Sequence, residues 1–285
     1  MIHGSGKQKI HLGTKIKVIY MEPSELSKNN EIKKRVLTNH CMPKLYELGL
    51  SKKSEVFSWA RENNILVPHL IFSNCPSIAC GSIEDALDRE MFVLKYNEGF
   101  STNGVWPFVR ANQNTYRTLF KKYNKYDHFS VESIRKIAND NVVLCEESLL
   151  RKEGDRLKIP ADYKFYILGG KPWICVFVDR NHGVISTLDV INKKILKMGE
   201  FFESVVGYDY CDSEDIVDIE VDFDAMLDVC TQCYNALNKP EFVSVDMYYV
   251  DGRSYLGEIT FNPGALFYNP LVESEVANFL NEFNF

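Results

Sequence analysis

Ser244 to Gly264, SVDMYYVDGRSYLGEITFNPG, carries two acids, Asp246 and Glu258, on either side of Asp251-Gly252. An Asp-Gly pair between runs rich in Val, Tyr and Leu is a strong short-range hairpin signal. The stretch therefore predicts two short strands, with Asp246 and Glu258 facing each other across the pair. Magnesium takes oxygen ligands in octahedral geometry and usually only one or two protein carboxylates, leaving its other positions to water and substrate phosphates. Two acids on paired strands suit that partial shell. Isolated acids near a hairpin are ordinarily just solvated, but Glu258 runs through Thr260 and Asn262 into Pro263-Gly264. A hydroxyl, an amide and a tight turn beside a strand-end acid are hard to account for by packing alone.

A second constellation precedes it. Lys95 ends the apolar run Phe92 to Lys95 and enters a polar loop containing Gly99, Ser101 and Gly104. Such a loop can fold over phosphates, offering backbone N–H groups and hydroxyls while the lysine supplies charge. Val142 to Leu149, VVLCEESL, places an apolar strand before a polar extended segment whose backbone donors and acceptors could pair with an adenine edge.

The elements that must position these groups follow from pattern. Met1 to Gly13 reads as a tail and Lys15 to Tyr20 as a strand. Ser51 to Pro68 reads as a capped helix with Val56, Phe57 and Ala60 inward, ended by Asn63-Asn64 and followed by a strand. Asp162 to Leu168, Gly169-Gly170, and Trp173 to Val178 form a further hairpin. Phe223, Leu227, Cys230, Tyr234 and Leu237 recur at helical spacing, and a last helix is expected near 274–283. This mixed order argues for an α+β fold with largely antiparallel sheets. No GxGxxG stands at a strand-to-helix turn, which disfavours a parallel dinucleotide-binding sheet.

Composition bounds the partners. At 285 residues, 45% hydrophobic and 13% aromatic, the chain can bury a substantial core. The net charge of -6, from 33 basic and 39 acidic residues interspersed, leaves no basic face for nucleic acid. The longest apolar runs, such as Trp173 to Val178, fall far short of a membrane span, and the N-terminus lacks the apolar core of a signal peptide. A cytoplasmic location is the expectation. The eight cysteines sit in apolar contexts, which suits buried free thiols in a reducing compartment. Cys230 and Cys233 form a CxxC, but lie within the helical pattern with no second Cys or His pair nearby.

In order, the helix and NILVP strand, FVLKYNEGFSTNGV, VVLCEESLL, IPADYKFYILGGKPWICVFVDR and VSVDMYYVDGRSYLGEITFNPG resemble the ATP-grasp enzymes. The closest resemblance is to the TupA-like group associated with teichuronopeptide and surface-polysaccharide synthesis. It covers roughly residues 50–270, and its paired DYK and GEIT segments are the most specific parts. It implies two α+β subdomains with mostly antiparallel sheets sandwiching ATP. The expected division is a shortened N-terminal region over 1–50, a lid subdomain over 51–145 and a metal-bearing C-terminal subdomain over 146–285.

Carried over by position, Lys95 resembles the strand lysine on the ATP phosphates, with Gly99, Ser101 and Gly104 in the phosphate lid. Glu146, Glu147 and Leu149 resemble the linker that reads adenine and ribose. Asp162 and Lys164 match the polar pair of the DYK strand, where Lys164 meets nucleotide phosphate or the acid substrate. Arg180 resembles the arginine that steadies the transferring phosphoryl group. Asp246 and Glu258 match the magnesium carboxylates. Many relatives have EVN where this chain has Glu258-Ile259-Thr260, so the third ligand is Asn262 or Thr260.

The resemblance implies an ATP- and magnesium-dependent carboxylate–amine ligase working through an acylphosphate, with manganese as a substitute ion. The acid would be a uronic-acid carboxylate in capsule or cell-surface polysaccharide synthesis, and the amine an amino acid or simple amine. A homodimer or a glycan-assembly partner could complete the pocket, and Tyr208, Tyr210, Phe267 and Tyr268 could stack on a sugar. Two other readings stay open: a phosphotransferase acting on a sugar or other small-molecule hydroxyl, and a non-catalytic nucleotide-binding module.

Overall fold

The computed structural model describes residues 47–98, 104–119, 128–153, 156–179, 184–190, 194–196, 223–240 and 242–261. The expected N-terminal tail, the strand at 15–20 and the helix near 274–283 lie outside them. The fold is α+β, and every strand pairing among the described residues is antiparallel. Gly49–Ile159 forms one compact unit, and a second begins at Pro160. Glu146 and Glu147 end a strand of the first of these units.

In that first unit, α1 (Lys53–Glu62) leads to β1 (Leu70–Ser73), α2 (Ile83–Leu87), β2 (Met91–Tyr96), β3 (Val105–Asn112), β4 (Thr115–Thr118), β5 (Phe129–Ser130), α3 (Val131–Asp140) and β6 (Val143–Glu147). A short hairpin of β7 (Arg151–Glu153) and β8 (Arg156–Lys158) follows. The main sheet runs β1-β6-β2-β3-β4-β5. Its core face gathers Phe92, Leu94, Phe108, Tyr116, Ile134 and Cys145, all without solvent exposure. Burial of such side chains supplies about 25 cal/mol per Å² of apolar area.

Val56, Phe57 and Ala60 face inward on α1 as their spacing requires, and the helix stops at Asn63, just before Asn64 turns to positive φ. Its N-terminal cap comes from far along the chain. Ser54 N–H donates to Asn97 Oδ1 at 2.9 Å and Lys53 N–H to Asn97 O at 3.1 Å, satisfying donors that a helix start otherwise leaves open. Asn97 follows β2 directly, so the cap fixes α1 against the strand that carries Lys95.

The second unit contains β9 (Asp162–Leu168), β10 (Lys171–Asp179), β11 (Val184–Asp189), β12 (Lys194–Leu196), α4 (Phe223–Ala236), β13 (Phe242–Val250) and β14 (Arg253–Thr260). The sheet order is β12-β11-β10-β9-β13-β14. Both expected hairpins form. Gly169-Gly170 and Asp251-Gly252 all have positive φ, the backbone that lets a two-residue turn match strand twist.

One face of this sheet is apolar and packs against α4. Phe223 sets its ring 6.4 Å from Tyr163 and 6.2 Å from Phe165. The buried stripe of α4 is Met226, Cys230 and Cys233, continued by Leu237. It is rotated from the expected one, since Phe223, Leu227 and Tyr234 are only half-buried. Sulfur-bearing side chains fill the irregular space against the sheet, while the larger residues flank it. Most described cysteines are buried as expected, but Cys80 is exposed.

No helix among the described residues is long and apolar enough to cross a membrane.

Candidate metal and phosphate site

The polar face of the second sheet is built by strand alternation, which sends residues i and i+2 to one side. On β9 these are Asp162, Lys164 and Tyr166, and on β13 they are Ser244, Asp246 and Tyr248, paired in register as Tyr166 with Ser244, Lys164 with Asp246 and Asp162 with Tyr248. On β14, Glu258 stands opposite Asp246 and Thr260 opposite Ser244. The pairing expected across the hairpin is present, and Lys164 joins it from the other side.

The register depends on one glycine. Val250 pairs with Arg253 and Met247 with Leu256, but Asp246 pairs with Glu258, leaving Gly257 as an extra residue in β14. This is a β-bulge. A Cβ on Gly257 would lie 2.8 Å from Tyr248 Cε2 and 3.3 Å from Asp246 O, so the close approach of the two strands favours glycine here.

Asp246 is 7% exposed. Its Oδ2 forms an ion pair with the Lys164 ammonium, and its Oδ1 accepts a hydrogen bond from Ser244 Oγ at 2.9 Å. Burial pushes the Asp246 carboxyl up to about 6, opposed by Lys164 and reinforced by Glu258 and Asp162. Burial pulls the Lys164 ammonium down, but the carboxylates of Asp246, Asp162 and Glu258 outweigh it and the net shift is upward.

Three acids thus act on one lysine, an excess of negative charge that a divalent cation would neutralise. The hard oxygen donors of Asp246 and Glu258 fit magnesium. Among the described residues no group of three or more His, Cys, Asp or Glu side chains is placed to hold a metal ion.

Within the first unit, Lys95 and Glu146 form a second buried pair. They lie on neighbouring strands, on the face opposite Phe92 and Leu94, with Lys95 Nζ 2.5 Å from Glu146 Oε2 and their side chains 10% and 9% exposed. The lysine is therefore held by an acid of β6. Gly104, at φ +73, closes the loop base by accepting the Tyr96 N–H at 2.7 Å, and a Cβ there would meet the Tyr96 ring at 2.4 Å.

The segment expected to offer free backbone groups to adenine is shorter than its sequence implies. Glu146 and Glu147 belong to β6 and pair with β2, and the Glu147 N–H donates to His69 O at 2.8 Å. β1 and β2 flank β6 on both sides, so regular pairing persists until Ser148. Leu149 lies half-buried beyond the strand. Gly99, Ser101, Arg180 and Asn262 lie outside the described residues, as do Tyr208, Tyr210, Phe267 and Tyr268. Ser244 and Gly257 are not marked by the patterns that single out Asp246 and Glu258. The signal for Ser244 is its spacing, because a hydroxyl two residues before a strand acid shares its face.

No family model and no curated protein matches the chain. Among solved structures, it is similar to D-alanine–D-alanine ligase from Bacillus anthracis, at 17% identity over 82% of this chain and 69% of that one, with a TM-score of 0.43. It is also similar to the ATP-grasp ligase PsnB in complex with a minimal precursor, at 13% identity over 81% and 59%, TM-score 0.45. A third similar structure is the ADP complex of N5-carboxyaminoimidazole ribonucleotide synthetase, at 12% identity over 75% and 45%, TM-score 0.44. The chain spans about half to two thirds of these proteins' lengths.

Proposed function

We propose that the protein is an ATP- and magnesium-dependent carboxylate–amine ligase of the ATP-grasp type. The observation that carries the reading is the alignment of Asp246, Glu258 and Lys164 across three adjacent strands on one polar face. The order of the five sequence segments that resemble ATP-grasp enzymes adds to it.

In this reading the substrate carboxylate takes the γ-phosphoryl group of ATP, giving an acylphosphate and ADP. The amine then attacks the acyl carbon, phosphate leaves and an amide forms. No protein nucleophile is needed. Asp246 and Glu258, with Asn262 or Thr260, hold magnesium or manganese, which supplies positive charge to the phosphate oxygens. Lys164 and Arg180 bind and steady the transferring group, and Lys95 with Gly99, Ser101 and Gly104 holds phosphates. Glu146 holds Lys95 in place, while Glu147 contributes its side chain, and Leu149 its backbone, to the nucleoside. Asp162 joins Lys164 in the ATP-binding polar pair of β9.

The acid proposed is a uronic-acid carboxylate of a surface-polysaccharide precursor, on the strength of the TupA-like segments. The test is ADP release from magnesium-ATP across a matrix of sugar acids and amines, with phosphate and product mass followed in parallel. A condensed product that needs both substrates supports the ligase. A phosphorylated product formed without amine contradicts it in favour of phosphotransfer.

A further inference from the structure

Both oxygens of Asp246 are engaged by the chain itself, Oδ2 by the Lys164 ammonium and Oδ1 by the Ser244 hydroxyl. An ammonium and a magnesium ion are both cations and compete for one oxygen, because at contact range inside a protein they repel strongly. The lysine, however, is not locked in place. Its side chain keeps 22% of its surface exposed, against 10% for Asp246, so it has a route away from the acid.

The charge balance also sets this pair apart from a purely structural ion pair. Asp162 lies two residues before Lys164 on β9, and Asp246 on β13 pairs with Lys164 and with Glu258 on β14, so one ammonium shares its sheet face with three acids. A pair built only to hold two strands together would need one acid, and the surplus would destabilise it.

We propose that Lys164 is the exchangeable counter-ion of the metal site. It occupies Asp246 in the nucleotide-free protein and must withdraw before a divalent cation can bind there. Nucleotide phosphate is the acceptor that takes the ammonium over, so metal and nucleotide bind with positive coupling. The inference rests on the metal-site reading above.

Manganese serves as the probe, titrated into nucleotide-free protein and followed by the loss of the free-ion electron paramagnetic resonance signal. Lys164→Gln is expected to bind manganese at least about tenfold more tightly than wild type. Adding Asp246→Asn to it should remove the gain. With ADP bound, wild type is expected to tighten by a similar factor and Lys164→Gln by much less.

Equal or weaker binding by Lys164→Gln, with Asp246→Asn still weakening binding, overturns the counter-ion role while leaving the metal site standing. Manganese binding indifferent to Asp246→Asn overturns the metal site and this proposal with it. Lys164→Arg carries the test if Lys164→Gln fails to fold. It keeps a cation on Asp246 and is expected to bind no more tightly than wild type, and a tenfold tightening contradicts the proposal.

Discussion

Glu258 shares a sheet face with Asp246 because Gly257 adds one residue to β14. Unbroken pairing from the Asp251-Gly252 turn would set Asp246 opposite Gly257 and Glu258 opposite Val245, sending the second acid to the face that packs against α4. The bulge is therefore what puts both carboxylates on one face of the hairpin.

Gly257→Ala is expected to destabilise the protein by about 1–3 kcal/mol, since the added methyl meets the Tyr248 ring. Tyr248→Ser should recover part of the loss when combined with it, because the two changes touch one contact. Urea unfolding of both single variants and the double variant checks this, and strict additivity would contradict it.

The paired acids were legible because an Asp-Gly turn and alternating strands can be read from residue types alone. Their register was not. A count from the turn leaves Asp246 and Glu258 out of step, and only the bulge at Gly257 brings them together. The two glycine turns, the α1 face and the β2 strand were likewise readable from local pattern. The Asn97 cap on α1 and the Lys95–Glu146 pair join residues distant in sequence, so no local window contains them. The strand end at Glu147 is hidden in the sequence because its acids look solvent-bound, whereas pairing on both sides keeps β6 extended. On α4, hydrophobicity favoured Leu227 and Tyr234, but the fit against the sheet selected Met226 and Cys233.

The Lys95–Glu146 pair is buried, so removing one partner leaves an uncompensated charge. Lys95→Met or Glu146→Leu alone is expected to cost about 3–5 kcal/mol, and the double variant less than either. Chemical denaturation of the four proteins measures the coupling. A double variant as unstable as the sum of the singles would show that the pair does not act as a unit.

Stability without metal should depend on pH through Asp246. Its carboxyl sits near 6 in the folded protein against an ordinary 3.8, so the folded state binds more protons between those values. This group's contribution therefore makes stability fall as pH rises from 3.8 to 6. Comparing melting temperatures of wild type and Asp246→Asn across that range isolates it. A difference that grows in the opposite sense with rising pH would contradict the assignment.

Thiol reactivity should sort by burial. Burial raises the thiols of Cys175 and Cys230 well above the ordinary value and that of Cys233 to about 12, leaving little reactive thiolate near neutral pH. Brief alkylation of native protein followed by peptide mass spectrometry is expected to label exposed Cys80 well before these three, which should react only with denaturant. Early labelling of Cys230 or Cys233 would contradict the packing of α4.

Calorimetric titration of magnesium-ATP into wild type, Asp246→Asn and Glu258→Gln tests the metal and phosphate site most directly. Saturable binding by wild type, weakened by about a hundredfold or more in each variant with melting temperatures showing both variants folded, is the predicted result. Equal affinity in all three folded proteins would contradict the assignment of this sheet face to a metal-bound nucleotide.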